Sequence, residues 1–164
     1  MSRRALLAAG VLLTLLATGG CGVRPSDVIT GRPAVSGPSQ GIELYLLAEG
    51  QLVLVLRPAA QGASPADTLA LLAAGPQENE RSQGFTSEVP AGLDPVTVTS
   101  GANRSGGLTV RTTGAAQSLS SEAADQVICT VADAAAQSGL AESFAPVAIV
   151  GSDGARPARP CPIR

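Results

Sequence analysis

The sequence predicts a compact α/β (α+β) domain of two hairpins, two helices and a final strand, occupying residues 42–154. Three observations predict it. Short alternating apolar runs come in two pairs joined by turn signals, at 42–56 and 96–110. Residues 64–75 and 120–137 repeat apolar side chains at helical spacing between a serine and a glycine. A last apolar run, PVAIV at 146–150, is bounded by a glycine turn. Hydrophobic residues make up 45% of the 164 residues but aromatics only 2%, so the core must be built from Leu, Val, Ile and Ala.

Before the domain, residues 1–20 read as a lipoprotein signal peptide. Arg3 and Arg4 form a charged start, residues 5–17 a short apolar stretch, and Thr18, Gly19 and Gly20 are small residues directly before Cys21. The apolar stretch is shorter than the roughly 20 residues of a membrane span. The arrangement resembles a bacterial lipoprotein signal, which implies that Cys21 is lipidated and becomes the first residue of the mature chain. The alternative is an ordinary signal peptide cut nearby, with Cys21 a spare thiol. Residues 21–41 are the lipidated cysteine and a Gly/Pro/Ser-rich tether without apolar period, of a length that holds the domain on the order of 25 Å from its anchor.

In the domain, Ile42, Leu44 and Leu46 alternate along the first strand, Glu49-Gly50 makes a hairpin turn, and LVLVL at 52–56 returns. The return strand is apolar on both faces, so it is expected to be central with cover on both sides, or to be covered by a partner. Arg57-Pro58 ends it. Ser64 caps the first helix, Pro65 suits its first position, and Asp67 lies in its first turn. Leu69 and Leu72 give that helix an apolar stripe to pack on the hairpin, and Gly75-Pro76 stops it. Residues 77–83 read as a polar loop. Val96/Val98 and Leu108/Val110 alternate with polar residues in a second hairpin, whose loop carries the formal acceptor pattern Asn103-Arg104-Ser105. Ser120 caps the second helix, with Ala124, Val127, Ile128, Val131 and Ala135 as its buried stripe and Gly139 as its end. The tail, residues 155–164, is rich in proline and arginine and is expected to add nothing to a core.

Composition excludes several functions. All 11 basic residues are arginine, the formal charge is −2, and no basic run follows the leader, so no nucleic-acid partner is expected. Histidine is absent, which removes the commonest general base and nitrogen ligand, and neither metal nor cofactor is expected. Ser87 and Ser120 lie in no nucleophile elbow and read as turn or cap residues. Glu78, Glu80 and Glu88 read as solvated loop charges rather than a glycan-cleaving pair. Gly75, Gly84 and Gly92 read as turn punctuation. No catalytic residue is assigned, and the chain is expected not to be an enzyme. In an exported chain, the two other cysteines, Cys129 and Cys161, suggest a disulfide. The alternative is two independent thiols, Cys129 buried and Cys161 exposed.

Three segments in order, LYLLAEGQLVLVLR, LALLAAGPQENERSQGFTSEVPAG and LSSEAADQVICTVADA, carry a family resemblance. They resemble the GerMN domain, the sporulation and spore-germination module, in a bacterial lipoprotein of actinobacterial kind. The shared features are the strand pair ending at Arg57, the Leu…Gly-Pro helix end, the Gly…Ser…Pro-x-Gly stretch, and Gln126-Val127-Ile128-Cys129-Thr130. The resemblance implies a ring-building-like fold on the extracytoplasmic face of the cell membrane, acting as a binding or assembly module of the cell envelope. The partners implied are the membrane through the lipid, an envelope or membrane protein, and a further copy by self-association. Some relatives work with a sensor kinase, so an accessory that modulates a membrane kinase or binds a small ligand is the alternative.

Overall fold

The computed structural model describes residues 41–58, 63–93, 95–101 and 106–163. The leader, Cys21, nearly all of the tether and the Asn103-Arg104-Ser105 pattern lie outside the described residues. The domain is α+β, with a three-stranded and a four-stranded sheet and three helices among the described residues. None of these helices is long and apolar enough to cross a membrane.

Strands β1 (Ile42–Ala48) and β2 (Gln51–Arg57) form an unbroken antiparallel hairpin from Ile42↔Arg57 to Ala48↔Gln51. Its two-residue turn has positive φ at both Glu49 (51°) and Gly50 (77°), the combination whose twist matches antiparallel strands. A short strand, β3 (Phe85–Thr86), pairs with the end of β1, so the sheet order is β2-β1-β3. The sheet therefore corrects the first of the two expected placements of the LVLVL strand, the central one, and leaves the other, cover by a partner, open. β1 is the central strand, with Leu44 through Leu47 buried on both faces, whereas β2 is an outer strand that leaves Leu54 47% and Leu56 44% exposed.

Helix α1 (Pro65–Ala73) starts in a capping box: the Asp67 N–H donates to Ser64 Oγ at 3.2 Å, and the Ser64 N–H donates to the Asp67 carboxylate at 3.2 Å. The Ser64 hydroxyl, followed by its backbone N–H, holds the Asp67 carboxyl below its ordinary value. Leu69 and Leu72 are fully buried, and the helix packs on the helix over Ser121–Gln137 and the strand over Pro95–Ser100 as well as on β1. Burying each leucine stabilises the fold by roughly 1.5–3 kcal/mol. Residues 77–83 are not a plain loop, because Glu78–Ser82 form a short helix, α2.

The second sheet has the order β4-β5-β6-β7, from β4 (Pro95–Ser100), β5 (Leu108–Thr112), β6 (Val147–Gly151) and β7 (Gly154–Arg159). β4 and β5 form the expected hairpin. β5 and β6 are parallel, which requires a long crossover, and α3 (Ser121–Gln137) supplies it. β6 turns into β7 in a third hairpin that the sequence does not announce. The Pro/Arg tail is therefore part of the sheet, and Cys161 behind it is buried. The expected two-hairpin, two-helix plan thus gains α2, β3 and β7.

α3 is the hub. Ser120 Oγ accepts the Ala123 N–H at 3.0 Å to cap it, and all five residues of the expected stripe are buried. So are Gln126, Cys129, Thr130, Ala132 and Asp133, because α3 packs against α1, β1 and β6 at once. A one-sided stripe underestimates a helix that is covered nearly all round.

Candidate functional site

The candidate site is an exposed apolar surface, and it is defined by what the polar groups leave over. Polar side chains in this domain tie elements together. Arg57 at the end of β2 is 6% exposed and meets Glu80 of α2, 4% exposed, in a two-pronged pair: Nε donates to Oε1 at 2.8 Å and Nη2 to Oε2 at 2.6 Å. Nη2 also donates to the Gly75 carbonyl at 2.9 Å, and the Gln77 N–H donates to Glu80 at 2.6 Å. One ion pair thus closes the end of α1, the start of α2 and the end of β2. Hydrogen bonds from the Arg57 guanidinium hold the Glu80 carboxyl below its ordinary value against the opposing effect of burial. Glu80 is therefore no solvated loop charge, which corrects the expectation. The signal for it was present: an arginine ending an apolar strand, and Glu80 three residues after Gln77 at a helix start.

A second set lies on α3. The Tyr45 N–H donates to Thr130 Oγ1 at 3.1 Å, and Gln126 Nε2 donates to the Tyr45 carbonyl at 2.9 Å. The Tyr45 hydroxyl donates to Asp133 Oδ2 at 2.7 Å. Gln126, Thr130 and Asp133 share one helix face, and two of them do for β1 what a neighbouring strand would do. They are needed because β3 reaches only as far as Leu47. Gln126 Oε1 also accepts the Glu88 N–H at 2.9 Å, which fixes the segment carrying Ser87. Ser87 Oγ accepts the Val89 N–H at 3.2 Å, a turn contact, and Ser120 Oγ bonds Glu88 while capping α3. Gln126 and Thr130, the polar residues of the segment 126–130, thus complete a backbone ladder.

The third set clamps the β6–β7 turn to the loop before α3. Asp153 accepts N–H bonds from Ala116, Gln117 and Ser118 at 2.6, 3.0 and 3.1 Å, with Gln117 first among the causes that lower its carboxyl's proton affinity. Arg156 donates to carbonyls of the same loop. Gly151 is required here, because a Cβ would collide with Ala116 N and Gly114 O. Arg159 forms an ion pair with Asp125 of α3. Cys129 of α3 and Cys161 are joined by a disulfide with an S–S distance of 2.00 Å. Gly75 and Gly84 sit at positive φ in the turns that follow α1 and α2. Among the described residues no cluster of three His, Cys, Asp or Glu side chains is placed to hold a metal ion.

What remains is apolar and exposed. Leu54 and Leu56 lie on one face of β2, and among the described residues no strand pairs with its outer side. The Tyr45 N–H and C=O turn away from β2, so Tyr45↔Leu54 is a non-hydrogen-bonded pair. By the alternation of an antiparallel ladder, Leu52, Leu54 and Leu56 then present their own backbone groups to the outer side. Sequence reasoning found this strand and its two apolar faces but not its place at the edge.

Comparison with models of known protein families, with curated proteins and with solved structures gives no match for this chain.

Proposed function

We propose that this domain is the non-catalytic binding and assembly module of a lipoprotein anchored through Cys21 to the outer face of a bacterial cell membrane, a member of the GerMN group. Its task is protein association in the cell envelope. The observation that carries this reading is the outer side of β2, which no strand flanks among the described residues and on which Leu54 and Leu56 are exposed. Strand addition at such an edge supplies main-chain hydrogen bonds for affinity and alternate side chains for selectivity. The leader pattern and the three quoted family segments support the location and the family.

The test has two arms on the full chain in its own membrane. A clickable palmitate analogue is expected to label the wild-type chain and not Cys21→Ala; equal labelling of both overturns the anchor. Crosslinking of the membrane fraction, read by mass spectrometry, is expected to give peptides linked to the β2 segment. Links confined to other surfaces overturn the binding site. Links to one sensor kinase without self-links replace assembly by the accessory role.

A further inference from the structure

We propose that the occupant of the β2 edge is the β2 strand of a second copy, paired antiparallel about a two-fold axis at Leu54. The proposal rests on the binding-module reading above and names its partner. The first argument is the strand's symmetry. Leu52-Val53-Leu54-Val55-Leu56 reads the same in both directions. Two antiparallel copies centred on Leu54 therefore set Leu54 against Leu54, Leu52 against Leu56 and Val53 against Val55. The outward backbone groups belong to Leu52, Leu54 and Leu56, symmetric about the same residue. Each of those three pairs is then a hydrogen-bonded pair, giving roughly six main-chain bonds between copies. The exposed side chains of Leu54 and Leu56 from both copies fall on one face as a continuous apolar strip.

The second argument is charge. Gln51 through Leu56 carry no ionisable side chain, and Arg57 is turned inward and neutralised by Glu80. In the paired register Glu43, which faces Leu56 on β1, falls in line with Leu47 of the other copy's β1, not with that copy's Glu43. Nothing on this edge repels its own duplicate.

The third argument is the treatment of the other outer strands. Among the described residues, β3 is only two residues long; β4 begins at Pro95 with a register shift to Thr97; β7 contains Arg156, Pro157 and Arg159 and pairs irregularly. Shortness, proline, irregular pairing and charge are the devices that keep edges from pairing. Apart from Arg57 at its end, which is buried and paired with Glu80, β2 has none of them, and its register is unbroken. Its strand is about 20 Å long, so the contact lies at the small end of specific interfaces, below about 1,200 Å². Such a contact is weak in dilute solution and is strengthened when both copies are held on one surface. Two-fold pairing also closes on itself and yields a dimer, whereas a ring requires a head-to-tail contact.

The test is a cysteine scan of the full chain in its membrane under mild oxidation. Leu54→Cys places two Cα atoms about 5.5 Å apart across the axis, within disulfide reach. Leu52→Cys and Leu56→Cys each place their own pairs roughly 14 Å apart, out of reach, but the two variants expressed together are opposed. The expected result is a disulfide-linked homodimer at least tenfold more abundant for Leu54→Cys than for either single variant, with the mixed pair restoring it. Phe144→Cys, on an exposed residue outside the strands, is the collision control. Equal dimer at all positions, or a maximum at Leu52 or Leu56, overturns the proposal. Leu54→Cys linking to a different protein also overturns self-pairing but keeps the binding module. A Leu54→Cys thiol that forms no link and is shielded from maleimide overturns both, because the edge is then covered from within the chain.

Discussion

Strands β2 and β7 meet the same problem at the outer sides of their sheets, a row of backbone groups with no strand beside it among the described residues. β7 meets it with proline, two arginines and irregular pairing, and it is held down by the Cys129–Cys161 disulfide, the Asp125–Arg159 pair and the Asp153 clamp. β2 is regular, uncharged from Gln51 to Leu56 and apolar on its exposed face. Its one fixed end is the Arg57–Glu80 pair. The edge tied by covalent and ionic bonds is guarded against pairing, and the edge tied only at its end is left able to pair. Stability and exposure are thus assigned to different strands. Each tie can be cut separately to test that division.

The largest effect is expected at the β2 tie. Arg57→Ala leaves Glu80 buried without its partner and is expected to cost about 3–5 kcal/mol in urea unfolding. Replacing both partners, Arg57→Met with Glu80→Leu, is expected to recover much of that loss, since the penalty lies in the orphaned charge. The pH dependence follows from the same pair. The Glu80 carboxyl is depressed in the folded chain, so its contribution is fully present above the ordinary carboxylate value of about 4.3 and is lost as pH falls through the folded value. Glu80→Gln is expected to flatten the acid limb of the urea midpoint against pH. An unchanged acid limb would show that Glu80 is not the group that titrates.

At β7 the corresponding cut is the disulfide. For a loop of 32 residues, chain entropy puts its contribution at about 3–4 kcal/mol. The double variant Cys129→Ala/Cys161→Ala, and the wild type in reductant, are both expected to melt lower. Amides of β7 are expected to lose exchange protection before those of β6, because the clamp and ion pair remain but the tail is released. A reductant-insensitive melting curve on an oxidised sample would remove the bridge from the account.

A smaller effect is expected where α3 supports the hairpin. Gln126→Ala leaves the Tyr45 carbonyl and the Glu88 N–H unpaired, a loss of about 1–3 kcal/mol. Thr130→Val, which removes only the acceptor for the Tyr45 N–H, should cost no more than that. Amide exchange of Tyr45 is the local readout, and unaltered protection there in Thr130→Val would mean that the bond does not hold β1.

These ties explain which parts of the molecule were legible in its sequence. Strand and helix positions were readable because period, caps and glycine stops are local. Ser64 with Asp67 and Glu49 with Gly50 act within a few residues of each other, and Ser120 and Gly139 each act on their own end of α3. Pairing order was not readable, since LVLVL fits a central strand and an open outer strand equally well; only the placement of β3 and α3 decides. β7 was hidden because Pro157 and two arginines mask a strand whose partner and disulfide come from elsewhere in the chain. Glu80 was misread for the same reason. Its partner Arg57 is 23 residues away and meets it only after α1 has turned the chain. Of the candidate surface, the sequence showed the apolar residues but not that they face outward.

The smallest effect on stability is expected to carry the largest effect on association. Leu54→Lys places on β2 the kind of charge that guards β7. Because Leu54 is 47% exposed, stability should change by no more than about 0.5 kcal/mol. Crosslinked dimer in the membrane should fall by at least tenfold, since two lysines would face each other across the axis. Ala155→Lys puts the same charge on exposed β7 and should alter neither stability nor crosslinking. If both lysines act alike, net charge rather than edge design governs association, and the distinction between the two strands fails. If Leu54→Lys alone dissociates the copies while the melting curve stays in place, the open edge serves recognition and contributes little to holding the fold together.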